Sequence, residues 1–60
     1  MYLGVIKHPI KGRMRKIKVN HVGTRTFILE WNGGRVEAEW IGGTFDEFIE
    51  LTLRYLGVNQ

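Results

Sequence analysis

Sixty residues carrying 9 Lys and Arg against 6 Asp and Glu, with no Cys, make a small basic chain of net charge +3. A chain this short buries only about 60% of the surface its unfolded form exposes, so its stability is marginal, and without Cys neither a disulfide nor a thiolate metal site adds to it. The opening Met1–Lys7 run is too short for a signal peptide and no stretch reaches the ~18 apolar residues of a membrane span, which predicts one cytoplasmic domain over 1–60 that is stabilised by tight packing or by self-association as a homodimer.

The first predicted strand covers about 2–8 and is joined through Pro9-Ile10-Lys11-Gly12-Arg13 to a second over about 14–21, with Ile6 near Ile17. A three-residue loop, Val22-Gly23-Thr24, leads to a third strand over about 25–31. In that register Val19 lies opposite Phe27, Ile17 opposite Leu29, Arg15 opposite Trp31 and Lys16 opposite Glu30. Asn32-Gly33 suits the two central positions of a type I′ turn, both with positive φ, and leads to a fourth strand over about 35–41. Glu30 then faces Arg35, Leu29 faces Val36 and Phe27 faces Ala38. A loop at Gly33-Gly34 would instead oppose Glu30 to Glu37, a like-charge pair. One sheet face thus collects Phe27, Leu29, Trp31, Val36, Ala38 and Trp40.

After Gly42-Gly43 the period changes. Thr44 with Glu47 three residues on forms a capping box, Asp46 and Glu47 complement the positive end of the helix dipole, and Gly57 fits the position that ends a helix. A helix over about 45–56 follows, and the alternation of Ile49, Leu51, Leu53 and Tyr55, which also suits a strand, is outweighed by these end signals. Phe45, Phe48, Ile49, Leu51, Leu53, Tyr55 and Leu56 span an arc of roughly 200°, wider than the ~100° stripe of an ordinary surface helix. Either the helix lies deep in a curled sheet, or Leu51 and Leu53 form a dimer interface. The fold class is α+β: a four-stranded antiparallel meander packed on one C-terminal helix.

Chemistry is limited by inventory. With no Cys and no Ser, and no N-terminal Thr, a nucleophilic triad has no starting point. Glu37 and Glu39 share a strand face and Asp46 and Glu47 open the helix, but general acid–base work needs a cleft that separates their pKa values, and a thin core leaves little room for one. His8 and His21 lack an obvious third ligand for a metal. Gly42-Gly43-Thr44 matches no phosphate-loop spacing and is followed by two acids. The reading is a non-enzymatic binding protein with no cofactor.

Charge distribution is the stronger signal. From Met1 to Leu29 stand seven cations, Lys7, Lys11, Arg13, Arg15, Lys16, Lys18 and Arg25, and no acid, whereas Glu30 to Gln60 hold Arg35 and Arg54 against six acids. Such asymmetry suits a polyanionic partner, unless the halves neutralise each other on folding. The seven cations are therefore the candidate DNA or RNA contacts, made to the phosphate backbone along a basic hairpin and the sheet face that the helix leaves open, with Arg13 and Arg15 near the tip able to address guanine edges. The aromatic residues read as core, which argues against base stacking. The layout resembles in outline those of the small archaeal chromatin proteins, the arm-binding domains of tyrosine recombinases and the dimeric single-strand-binding coactivators, a likeness of architecture that assigns no residue. The alternative is a protein-binding module or inhibitor, of viral or mobile-element type, that docks Leu3, Val5 and Ile28, ringed by lysines, on an acidic protein surface.

Overall fold

The computed structural model describes residues 1–57. Four strands, β1 (Tyr2–Ile10), β2 (Arg13–His21), β3 (Thr26–Trp31) and β4 (Gly34–Glu39), form one antiparallel sheet in chain order, and helix α1 (Phe45–Thr52) crosses one of its faces. Alternation decides which side chains meet the helix. Ile6, Ile10, Ile17, Val19, Phe27, Leu29 and Val36 point inward, where they pack with Phe48, Ile49 and Leu53. At the end where the helix begins, Phe27, Trp40, Phe45 and Phe48 interlock, with the Trp40 and Phe48 rings stacked at 5.9 Å. Among the described residues no helix is long and apolar enough to cross a membrane.

The two outer hairpins take the expected registers. Ile6 pairs with Ile17 and Lys7 with Lys16; Glu30 pairs with Arg35, Leu29 with Val36 and Phe27 with Ala38. Their turns exchange characters, however. Lys11 (φ 53°) and Gly12 (φ 80°) both take the positive φ of a type I′ turn, whereas in Asn32-Gly33 only Gly33 does (φ 130°). β1 consequently runs two residues further than expected, and Ile10, assigned to the connection by sequence, is a buried core residue. Pro9 is tolerated because β1 is an edge strand.

The central register differs from expectation. Lys18, not Lys16, lies opposite Glu30, and Val19 lies opposite Leu29, a slip of two residues. The cause is in the loop: all of Val22 to Arg25 lie outside the strands, and the Thr26 carbonyl accepts the N–H groups of both Val22 (2.9 Å) and Gly23 (3.3 Å). His21 is drawn opposite Phe27, and their rings stack at 4.5 Å. A two-residue slip keeps every side chain on its face, so the core pattern tolerates it.

The ends of the helical region follow the chemistry. The Thr44 hydroxyl accepts the Glu47 N–H (3.1 Å) and the Glu47 carboxylate accepts the Thr44 N–H (3.1 Å), completing the capping box. Gly43 (φ 78°) makes the bend before it, and Trp40 Nε1 donates to the Gly42 and Gly43 carbonyls. β4 therefore ends at Glu39, short of the expected 41, with Trp40 turned to the joint and Ile41 exposed. The α-helix stops at Thr52 and continues as a π-helical turn over Leu53–Gly57, which places Gly57 within that turn instead of beyond the helix end. The wide apolar arc divides: Phe48, Ile49 and Leu53 enter the core, and Leu51 and Tyr55 stay exposed on a flank. Leu53 is 1% exposed, so of the two leucines offered as an interface only Leu51 is at the surface. Leu56, counted on the same arc, falls outside the residues whose side chains are described.

Candidate nucleic-acid interface

The slipped register shapes the basic end of the sheet. Pairing between β2 and β3 ends at Lys18–Glu30, while β2 continues to Arg13 and β3 reaches its turn after Trp31. The β1–β2 hairpin thus projects beyond the β3–β4 hairpin by roughly 10 Å, at ~3.3 Å per residue. A re-entrant corner forms where the tip of the shorter hairpin meets the flank of the longer one. On the helix side it is a hollow of about 240 Å³ lined by Ile10, Lys11, Arg13, Arg15, Trp31, Asn32 and Gly33. On the opposite side Lys16, Lys18, Glu30, Trp31 and Asn32 line a second hollow of about 400 Å³. Trp31 and Asn32 belong to both.

Five of the seven candidate cations therefore converge on one corner: Lys11, Arg13, Arg15, Lys16 and Lys18. Arg15 does not stand opposite Trp31 as expected; it pairs with His8 beyond the β3–β4 tip. Lys7 lies on the open face beside Lys16. Arg25 is at the other end of the sheet, in the β2–β3 loop, where its carbonyl accepts the Trp40 N–H (2.8 Å). Among the described residues none of Lys7, Arg13, Arg15, Lys16, Lys18 or Arg25 has a carboxylate oxygen within 4.0 Å, whereas Arg54 bridges Glu50 on the helix at 3.1 Å. On the open face, charge is graded across the strands: Lys7, Lys16 and Lys18 on β1 and β2, then Glu30, then Glu37 and Glu39 on β4, with Arg35 opposite Glu30. Lys18, Glu30 and Arg35 form one cross-strand row of alternating sign.

The apolar candidates separate. Val5 pairs with Lys18 and Ile28 with Asn20, both on the open face. A β-bulge between Tyr2 and Gly4, with Gly4 at φ 136°, shifts the alternation, so that Tyr2 lies opposite Asn20 and takes the open face. Leu3, expected on that face, instead lines a small hollow at the β1 edge with Val5, Ile6, Val19 and Phe45. His8 and His21 also separate: His8 pairs with Arg15, and His21 Nε2 contacts the Thr24 carbonyl near the opposite end. No cluster of three metal-ligating side chains exists among the described residues.

Sequence reasoning missed Trp31. Its indole lies across the partner strand, where a Cβ placed on Gly34 would come within 2.6 Å of Trp31 Cζ2. One ring face thus rests on Gly34, which is why glycine stands there, and the ring remains half-buried at the corner. The signal available was Gly34 itself, directly opposite a tryptophan. Comparisons with protein-family models, with curated proteins and with solved structures found no match.

Proposed function

We propose that the protein binds nucleic acid through the projecting β1–β2 hairpin and the adjoining open sheet face, holding the phosphate backbone by charge. The observation that carries this reading is the corner itself: Lys11, Arg13, Arg15, Lys16 and Lys18 line one surface feature in which Glu30 is the sole acid among its lining residues. Lys7 and Lys16, paired like charges, are mildly unfavourable together in isolation and gain when a phosphate lies between them.

Anisotropy of a labelled duplex and a labelled single strand across a salt series tests it. About five neutralised phosphates give a log–log slope of about −4.5 on B-form duplex, or about −3.5 on a single strand. The double variant Arg13→Ala/Arg15→Ala makes the slope shallower by about two contacts, and Arg25→Ala, at the far end, leaves it unchanged. Lack of binding at low salt to either form defeats the reading. A second reading draws on the exposed Tyr2 and Val5 beside Lys18, which suit an acidic protein surface; retention of one protein partner after nuclease treatment, with no nucleic-acid binding, favours it.

A further inference from the structure

We infer that the corner between the hairpin tips is a path for a single unpaired strand, with Trp31 as its stacking platform. This rests on the nucleic-acid reading and specifies its substrate class.

Three observations carry it. The two hollows lie on opposite sides of the sheet, share Trp31 and Asn32, and are otherwise lined by Arg13 and Arg15 on one side and by Lys16 and Lys18 on the other. A chain passing over the tip of the short hairpin therefore meets the indole with Arg13 and Arg15 on the helix side of the sheet and Lys16 and Lys18 on the open side, a stacking surface beside charge of the kind that single strands use. The dimensions agree. Arg13 and Arg15, alternate residues of one strand face that both border the hollow of about 240 Å³, stand ~7 Å apart, so successive phosphates of one strand can reach both. The third observation is the contrast between the two tryptophans. Trp40 Nε1 is satisfied by the Gly42 and Gly43 carbonyls, whereas Trp31 Nε1 makes no hydrogen bond among the described residues. One ring face rests on Gly34 of β4, and Trp31 borders the same hollow as Arg13 and Arg15; the other ring face is the one a base would take. A stacked base covers that face, and its phosphates reach the arginines or the lysines. Asn32, at the crossing, offers an amide to a base edge.

The test uses the unmodified protein and an oligothymidylate of about 12 nucleotides, within the ~4–16 spanned by small single-strand sites, beside a blunt hairpin duplex of equal charge. In proton–nitrogen correlation spectra the Trp31 indole signal, assigned by its contacts to Gly34, shifts on addition of the single strand while that of Trp40 stays in place. The single strand binds at least about tenfold more tightly than the duplex, and Trp31→Ala removes about 5- to 100-fold of its affinity with less effect on the duplex. Trp31→Phe, which keeps a ring over Gly34, retains most of it, so the comparison survives if the alanine variant folds poorly. Equal binding of both forms, or an unmoved Trp31 signal, overturns the inference and leaves backbone binding standing. Binding of neither removes the nucleic-acid reading as well.

Discussion

Gly34 and Trp31 are one structural unit divided between two strands. The glycine's missing side chain makes room for the indole, so Gly34→Ala forces a carbon into a space where the nearest ring atom is 2.6 Å away. Overpacking of that kind costs about 1–3 kcal/mol, measurable as a lower denaturation midpoint, and it displaces the ring, so tryptophan emission shifts as well. A midpoint within experimental error of the parent would show that the ring does not rest on Gly34. At this scale the sequence was informative about sides and poor about ends. Inward positions such as Ile17, Leu29 and Val36 were legible from alternation alone. Ile10 was not, because Pro9 and Gly12 on either side of it read as a loop, and a type I′ turn at Lys11-Gly12 asks a lysine to adopt positive φ against its preference. Leu51 and Leu53 illustrate the same limit: they differ by 200° on a helix, and the arc was too wide to say which end of it faced the sheet.

The capping box is the element whose signature was least ambiguous, because its chemistry is local and needs no partner from elsewhere in the fold. Thr44→Ala removes the acceptor for the Glu47 N–H and is expected to cost about 1 kcal/mol, read in a urea titration; Thr44→Ser should recover most of it. A Thr44→Ala variant as stable as the parent would mean that α1 is held by packing alone. Register between β2 and β3 lies at the other extreme. Hydrophobic alternation has a period of two, so two registers that differ by two residues bury the same faces and only the loop distinguishes them. The four residues of Val22–Arg25, folded back onto the Thr26 carbonyl, carry no turn signature that separates them from a three-residue loop. The candidate cations were nonetheless legible from charge alone; their convergence was not, because the corner exists only in the slipped register.

The whole molecule has one layer of helix on one layer of sheet, and its interior is correspondingly small. Leu29, fully buried at the centre of the sheet, is expected to lose about 2–5 kcal/mol on replacement by Ala. Domains of this size rarely hold more than about 3–5 kcal/mol, so Leu29→Ala should be largely unfolded at 25 °C by circular dichroism. A cooperative melt well above that temperature would reveal an additional source of stability, such as a second copy of the chain. The same thinness exposes charge: among the described residues one sheet face carries no layer, and across it Lys7, Lys16 and Lys18 on β1 and β2 stand apart from Glu37 and Glu39 on β4.

The projecting hairpin has a further consequence for how such a protein changes over time. Because the sheet accepts registers in steps of two residues without disturbing its interior, insertion or deletion in the Val22–Arg25 loop can lengthen or shorten the overhang in steps of ~7 Å while the packed face stays intact. Reach of the basic arm is thus a variable separable from stability. A lineage could adjust it by altering a loop at the opposite end of the sheet, far from the cations at the hairpin tip.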